Sequence, residues 1–182
     1  MRNILLIVSS SVGQGNTERL ADAFATGATE AGHALTKVFM DGKRLEDCRG
    51  CGFCQMDGHK CVIQDSMQDI YELFAECDTL VFASPLYFGS VNGKMKNIID
   101  RLYAVSGKDK YPHKDAGLLM TADDEGEHVF DQARSYFDYL VKSLGWTNLG
   151  FYGAGGCHGG AGTRSISEEH LMESYRRGRM LE

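Results

Sequence analysis

Short apolar runs alternate along the chain with segments in which apolar residues recur every three or four positions. The first run, residues 3–8, is uninterrupted, which is typical of a parallel strand buried on both faces. The residues that follow it show the spacing of one helix face and predict a first helix that ends at Gly32. That face consists of Leu20, Ala21, Phe24, Ala25 and Ala28. The chain therefore opens with a strand, a loop and a helix.

The same alternation continues to the end of the chain. Four further strands are predicted, over residues 34–40, from residue 77 to near Ala83, and over residues 116–122 and 147–154. Three more helical stripes are Met67, Ile70, Tyr71 and Phe74; Met95, Ile98, Ile99 and Leu102; and Phe130, Ala133, Phe137, Leu140, Val141 and Leu144. A polar helix over residues 167–177 follows. The pattern predicts an α/β fold with a parallel sheet covered on both faces, in one domain spanning residues 1–182.

The charge of the chain and its N-terminal segment limit the binding partners and the cellular compartment that we expect. The net charge of -6 and the pI near 5.5 argue against nucleic-acid or anionic-membrane binding, which would favour a basic face. The apolar part of the N-terminus is too short for a signal-peptide core or a membrane span. We therefore expect a cytoplasmic protein with neither nucleic acid nor membrane as a partner.

Parallel sheets bind ligands at the carboxyl ends of their strands, so the loops there are the first places to inspect. Residues 9–17, "SSSVGQGNT", combine hydroxyls and glycines at the start of a helix, a combination that binds phosphate through amides, hydroxyls and the helix dipole. The loop lacks the lysine of a P-loop, and Glu18 replaces the third glycine of a dinucleotide fingerprint. The alternative is that Asn16 or Thr17 merely caps the helix.

A second candidate segment follows the third predicted strand. Pro85, Tyr87, Phe88 and Gly89 form a proline-containing turn with two aromatic side chains, which suits the packing of a flat heteroaromatic ring. The alternative is that these aromatics only fill the core or wall of the fold.

The third candidate is a cysteine-rich loop, residues 48–61, after the second strand. Its thiols, on Cys48, Cys51, Cys54 and Cys61, are close enough in sequence to bind a [4Fe-4S] cluster. Zinc, held by the four cysteines or by three of them with His59, is an alternative, and so is a Cys-x-x-Cys redox pair. A reduced and empty loop is a further alternative. Disulfides are the least favoured in a reducing compartment.

Three motifs together resemble a known family. They are residues 9–17 with the terminal Gly-Asn-Thr, "SPLYFGS" from Ser84, and "KMKNIIDRLY" with Asp100 and Arg101. In this order they resemble the flavodoxin-like NAD(P)H-dependent FMN reductases, and within that family most closely the iron-sulfur flavoproteins and their cluster-free relatives. The resemblance covers residue 1 to about residue 105. It implies a doubly wound five-stranded sheet in the order 2-1-3-4-5, noncovalent FMN, and homodimers or homotetramers that complete the flavin pocket.

The resemblance also implies roles for individual residues. Ser10, Asn16 and Thr17 are expected to hold the FMN phosphate, and residues 85–89 are expected to line the isoalloxazine ring. The full set of expected cofactor-binding residues is Ser9, Ser10, Ser11, Val12, Gly15, Asn16, Thr17, Pro85, Leu86, Tyr87, Phe88, Gly89, Thr121 and Ala122. Family members often have arginine where this chain has Val12, so phosphate binding is expected to rest more on amides and hydroxyls.

The expected function is an FMN-dependent oxidoreductase that passes electrons from NAD(P)H to an acceptor that the sequence does not identify. Flavin carries the chemistry in such enzymes, so no catalytic side chain is assigned. One alternative is an iron-sulfur flavoprotein that relays electrons between partner proteins. Another is a non-redox phosphate-binding protein with the same type of fold.

Overall fold

The computed structural model describes residues 1–56, 60–106, 111–159 and 165–181. The strands are β1 (Asn3–Val8), β2 (Ala34–Phe39), β3 (Thr79–Tyr87), β4 (Ser90–Val91), β5 (Asp115–Thr121) and β6 (Thr147–Ala154). The helices are α1 (Asn16–Glu30), α2 (Phe53–Met56), α3 (Met67–Glu76), α4 (Gly93–Arg101), α5 (Asp131–Leu144) and α6 (Glu168–Arg179). Two 3₁₀ helices cover Leu102–Val105 and Glu127–Phe130.

The sheet is a parallel sheet with one short antiparallel addition. Its strands lie in the order β2-β1-β3-β5-β6, and β4 pairs only with β3. If the five parallel strands alone are counted, the order is the 2-1-3-4-5 that the family resemblance implies. The flavodoxin-like fold class is thus confirmed, and the sheet differs from the expected five strands by the additional short strand β4. The sequence pattern did not predict β4, because a two-residue strand is too short to show a period.

The added strand also explains why β3 is longer than predicted. The prediction ended this strand near Ala83, but β3 continues to Tyr87. Leu86 pairs with Val91 and Tyr87 with Ser90, so the end of β3 forms a hairpin with β4. The bounds of β1 and β6, in contrast, are those that the sequence predicted.

Helices cover both faces of the sheet and enclose two hydrophobic cores. On one face the core contains Phe74 of α3, Ile98 of α4 and Phe137 of α5. On the other face it contains Leu20 and Phe24 of α1. The two cores explain why the inner strands read as continuous apolar runs, since these strands are buried on both sides.

Helix α6 lies directly against α1 on the second face. A Cβ atom at Gly27 would lie 2.0 Å from the Tyr175 carbonyl oxygen, and one at Gly178 would lie 2.1 Å from the Phe24 carbonyl oxygen. The Ser174 hydroxyl also donates to the Leu20 carbonyl at 2.7 Å. Two glycines therefore allow the two backbones to come into contact, which fixes α6 in place.

Strand register brings the carboxyl ends of the central strands to the same level. Val8 pairs with Phe39 of β2 and with Ala83 of β3, and Pro85 pairs with Thr121 of β5. The loops that follow these strands consequently leave one edge of the sheet together. In the parts of the chain that the structure describes, no helix has the length and apolar character needed to cross a bilayer.

Candidate functional site

The loop after β1, residues 9–15 and called the β1 loop below, is held in place by its own polar groups. Ser9 is fully buried, and both its N–H and its hydroxyl donate to the Ala83 carbonyl, at 2.9 and 3.2 Å. The Ser10 hydroxyl oxygen accepts from the Val12 N–H at 3.2 Å, and its own hydrogen has only a long contact, 3.5 Å, to the Val12 carbonyl. Of the two buried serines, Ser10 therefore keeps a donor for a ligand, and Ser9 does not.

Helix α1 begins at the end of this loop with donors that have no acceptor. Gly15 occupies the N-cap position and supplies no side-chain hydrogen bond. Within the described chain, no acceptor is found for the N–H groups of Asn16, Thr17 and Glu18. Unpaired N–H groups at a helix N-terminus, together with the helix dipole, form a binding site for an anion.

Glu18 is an acidic side chain in this first turn of α1, and its charge is compensated. Its carboxylate accepts from the Gln14 N–H at 2.6 Å and from the Lys37 ammonium group at 3.0 Å. Burial alone would raise the pKa of Glu18, but the hydrogen bonds from Gln14 and Lys37 outweigh it and lower the pKa. The carboxylate is thus charged and neutralised by Lys37, which limits its repulsion of an anion at the helix end.

Asn92 connects the β1 loop to the segment after β3. It caps α4 by accepting from the Met95 N–H, and its Nδ2 group donates to the Ser9 carbonyl at 2.8 Å. Its N–H donates to the Ser84 hydroxyl at 3.0 Å. Through its side chain and its backbone N–H, this one buried residue fixes the start of α4 against both loops.

The loops after β5 and β6 complete the group. The hydroxyls of Thr17 and Thr121 are 2.7 Å apart and buried. The Ala122 N–H donates to the Ala154 carbonyl, and the Asn16 Nδ2 group donates to the His158 carbonyl at 3.0 Å. Of the predicted residues, Thr17 and Thr121 are bonded to each other directly, and Asn16 is bonded to the segment after β6, as Ala122 is to the last residue of β6. Ser10 is bonded only within the β1 loop.

The β3–β4 hairpin presents its aromatic side chains to solvent. Phe88 and Gly89 form the two central residues of the turn, with φ of 50° and 76°. Positive φ at both positions is the type I′ geometry, which asparagine and glycine favour and phenylalanine does not. Phe88 is completely exposed at 106%, and Tyr87 is 59% exposed. The hypothesis that these aromatics fill the core is therefore wrong for both residues, whereas Pro85 and Leu86 are half-buried.

This region fits an FMN molecule in its chemistry. The free N–H groups of α1, the Ser10 hydroxyl and the Thr17–Thr121 pair are donors suited to a phosphate monoester. Val12 is half-buried and supplies no cation, in agreement with a phosphate site built from amides and hydroxyls. Leu86, Tyr87 and Phe88 offer an apolar surface on which a flat ring can pack.

The cysteine loop is attached to the opposite end of α4. Gln55 of α2 donates to the Tyr103 carbonyl at 2.7 Å and to the Ser106 hydroxyl at 3.1 Å. Arg101 donates to Asp65 at 2.5 Å and to the carbonyls of Glu46 and Ile63, so it holds both flanks of the loop. The loop follows β2 as predicted, but its anchors lie near the end of α4.

The four thiols of this loop are not arranged as a metal site. All six cysteines of the chain are free thiols, and Cys48 and Cys51 are exposed. Among the residues that the structure describes, no three Cys, His, Asp or Glu side chains form a group suited to a metal ion. His59, which the zinc alternative uses, lies outside the described residues. The arrangement of the cysteines in the described structure therefore does not fit a cluster.

The sequence assigned no structural role to three residues that organise this region. Asn92 stands directly before a helical stripe, which is an N-cap signal that would have identified it. Arg101 is buried within an apolar stripe, and its pairing with Asp65 had no local signal. The His158 carbonyl meets Asn16 across 142 positions of the sequence, a contact that no local pattern predicts.

Known proteins are similar in sequence to between half and four fifths of this chain. The sequence model of the family described as NADPH-dependent FMN reductase matches residues 2–147. An iron-sulfur flavoprotein of Archaeoglobus fulgidus is 28% identical over 145 residues, which cover 80% of this chain and 64% of the relative. An iron-sulfur flavoprotein of Methanosarcina thermophila is 34% identical over 95 residues, which cover 52% of this chain and 49% of the relative. The chain thus spans about half to two thirds of these relatives.

Solved structures with the same fold cover nearly the whole chain. An NAD(P)H:quinone oxidoreductase from Methanothermobacter marburgensis superposes with a TM-score of 0.77 at 19% identity, covering 98% of this chain and 96% of the other. An azoreductase from Bacillus anthracis has a TM-score of 0.69 at 17% identity, with coverage of 98% and 97%. At these identities the structures establish the fold. The match of the family model over residues 2–147 establishes that the chain belongs to the NADPH-dependent FMN reductase family.

Proposed function

We propose that this protein is an FMN-dependent oxidoreductase that takes electrons from NAD(P)H and passes them to a small-molecule or protein acceptor. The observation that carries the proposal is the junction of four loops at the start of α1. There, unpaired N–H groups, the Ser10 hydroxyl and the Thr17–Thr121 pair lie in segments that hydrogen bonds tie together. The β1 loop is also bonded to β3, and an exposed aromatic hairpin follows directly at the end of that strand. Neutral donors at a helix N-terminus next to an aromatic surface match a molecule with a phosphate at one end and a flat ring at the other.

In this proposal the phosphate is held by the N–H groups of α1 with Ser10 and Thr17. Thr121 can donate its hydroxyl hydrogen to Thr17, so that Thr17 turns its own hydrogen toward the phosphate. Lys37 keeps Glu18 from repelling the anion. Residues 85–89 and Ala122 line the ring. Asn92 and Ser84 contribute by keeping the two loops at a fixed spacing before the ligand arrives.

FMN, when bound, supplies the redox chemistry, since it accepts a hydride from NAD(P)H and gives electrons to an acceptor. The protein's own groups bind and orient it. The Ser9 hydroxyl already donates to the Ala83 carbonyl, so in this proposal Ser9 stabilises the loop and does not contact FMN.

Spectroscopy and steady-state kinetics test the proposal together. Purified protein mixed with FMN is expected to bind one flavin per chain and to oxidise NADH or NADPH when a quinone, an azo dye or ferricyanide is present. The control is the same assay with free FMN at equal concentration. A preparation that binds no FMN would contradict the proposal and favour a non-redox phosphate-binding protein.

The electron-carrier function is a second candidate because the curated relatives named above are iron-sulfur flavoproteins. Steady-state oxidation of NADH or NADPH by the purified protein distinguishes the two functions, and iron and sulfide analysis of protein purified without oxygen shows whether a cluster is present. Because the four thiols do not form a metal-binding group in the described structure, we expect less than about one iron per chain, with FMN retained. About four irons and four sulfides per chain would show that the cysteine loop closes around a [4Fe-4S] cluster through Cys48, Cys51, Cys54 and Cys61.

We also propose a homodimer or homotetramer. A fully exposed phenylalanine in a strained turn, with a half-exposed tyrosine beside it, is a surface that a second subunit can cover. Light scattering at micromolar concentration tests this. A mass near 20.1 kDa would show a monomer and contradict the proposal.

A further inference from the structure

Asn16 is a buried residue with one amide atom in use and one without a partner. It is the first residue of α1 and only 8% exposed. Its Nδ2 group donates to the His158 carbonyl at 3.0 Å. Its Oδ1 atom is buried and has no hydrogen-bond partner in the described structure. A buried acceptor without a donor costs free energy, so the atom calls for an explanation.

The orientation of this amide follows from its surroundings. If the amide were rotated by 180°, Oδ1 would face the His158 carbonyl, and two acceptors would meet. The hydrogen-bond network therefore assigns Nδ2 to His158 and leaves Oδ1 as the open position. An amide oxygen only accepts hydrogen bonds, so the missing partner must be a donor.

The phosphate of FMN does not meet this requirement. A phosphate monoester is mostly a dianion at neutral pH, and its oxygens are acceptors. The flavin has two other kinds of donor, which are the hydroxyls of its ribityl chain and the N–H of its ring. The ribityl chain is bonded to the phosphate, and Asn16 belongs to the helix end proposed to hold that phosphate. The ring is proposed to lie at the hairpin, residues 86–91.

We propose that Asn16 recognises the ribityl chain of FMN: Oδ1 accepts a hydrogen bond from a ribityl hydroxyl while Nδ2 remains on the His158 carbonyl. This inference rests on the proposed function and deepens it. It gives Asn16 a different role from the phosphate contact that the family resemblance implies. The backbone N–H of Asn16 still serves the phosphate, and the side chain links the sugar alcohol to the segment after β6.

A comparison of FMN with riboflavin, which lacks the phosphate, separates the two roles. Dissociation constants are measured by flavin fluorescence for the wild type, Asn16→Ala and Thr17→Val. We expect Asn16→Ala to weaken FMN and riboflavin by the same factor, about three- to tenfold, as for a neutral hydrogen bond. Thr17→Val is expected to weaken FMN more than riboflavin, because Thr17 faces the phosphate.

Riboflavin analogues that each lack one ribityl hydroxyl provide a second test, which begins with the wild type. One of them is expected to bind the wild type about three- to tenfold more weakly than riboflavin, and that difference should vanish in Asn16→Ala. The matched control is Asn148→Ala, which removes an exposed asparagine bonded to Asp138 and should leave all flavin affinities unchanged.

Two results would overturn the inference while leaving the proposed function intact. One is that Asn16→Ala weakens FMN but not riboflavin, which would return Asn16 to the phosphate. The other is that all the analogues bind the wild type as well as riboflavin does, which would mean that Asn16 acts only by holding the segment after β6. If the wild type binds neither FMN nor riboflavin, the proposed function itself fails.

Discussion

The β1 loop and the cysteine loop follow neighbouring strands, but the structure holds them differently. The β1 loop is bonded to the ends of β3 and α4, and the start of α1 is bonded to the segments after β5 and β6. The cysteine loop is bonded on its flanks and through Gln55, and its thiols on Cys48 and Cys51 face solvent. In the first loop and at the start of α1, the segments with the groups that we propose for phosphate binding are already held by hydrogen bonds to other segments.

Helix α4 connects the two regions. Asn92 at its start is bonded to Ser9, and Arg101 at its end holds the flanks of the cysteine loop. Helix α4 has nine residues, Gly93–Arg101, and a length of about 13 Å at 1.5 Å per residue. Two loops at the same edge of a sheet can therefore differ in how firmly their side chains are positioned, because different numbers of other segments are hydrogen-bonded to them.

The largest expected effect comes from removing Arg101. Its guanidinium and the Asp65 carboxylate are both almost fully buried, and burial of Asp65 would raise its pKa if the Arg101 hydrogen bond did not lower it. Arg101→Met leaves a buried carboxylate without its counter-charge, so we expect the free energy of unfolding to fall by about 3–5 kcal/mol. Urea denaturation measures it.

The matched control for this variant lies on the same helix. Lys96→Met removes an exposed ion pair with Asp100 and should cost less than about 0.5 kcal/mol. Hydrogen exchange in a folded Arg101→Met preparation should increase in the cysteine loop and stay unchanged in the β1 loop. Equal losses in the two variants would show that the buried pair does not anchor the cysteine loop.

A second prediction concerns the reactivity of the thiols. Cys48 and Cys51 are exposed, whereas Cys157 is buried, and burial raises the pKa of Cys157 to about 11. Since only the thiolate reacts, and a free thiol has a pKa near 8.5, Cys157 should be alkylated at least about a hundredfold more slowly at pH 8. Its rate should rise as the pH approaches 11, because the thiolate fraction grows.

Mass spectrometry after a brief exposure to iodoacetamide measures the labelling of each cysteine. Cys77, which is also buried and has a raised pKa, serves as the internal comparison for Cys157. If Cys157 were labelled as fast as Cys51 in folded protein, the segment after β6 would be open, and the contrast between the regions would fail.

The smallest expected effect concerns the hairpin. Phe88 has a positive φ, which is unfavourable for phenylalanine, and its fully exposed ring buries no surface that would offset this cost. We therefore expect Phe88→Asn to stabilise the flavin-free monomer by about 1 kcal/mol. The same variant should weaken flavin binding or subunit association, for which we propose that the aromatic ring is needed. Urea denaturation at low protein concentration and light scattering measure the two effects. A loss of stability in the Phe88→Asn monomer would mean that the Phe88 ring makes stabilising contacts, and it would contradict this prediction.

Much of the fold could be predicted from the sequence alone. Uninterrupted apolar residues located β1, and the bounds of β1 and β6 agree with the structure. The stripe of Leu20, Ala21, Phe24 and Ala28 located the buried face of α1. These features are local, because a strand or an amphipathic helix shows its period within a few residues. The hydroxyls and glycines of the β1 loop were visible for the same reason.

The tertiary structure decided which of these groups act together. Thr17 meets Thr121 across 104 positions, and Arg101 meets Asp65 across 36, so neither pair shows in a local pattern. The sequence spacing of the cysteines left a cluster, zinc, a redox pair and an empty loop as alternatives, because spacing does not determine how a loop directs its thiols. The direction of a side chain depends on the surrounding backbone and on hydrogen bonds to other segments, such as the bond of Asn16 to His158. Such bonds form only when distant parts of the chain have packed together.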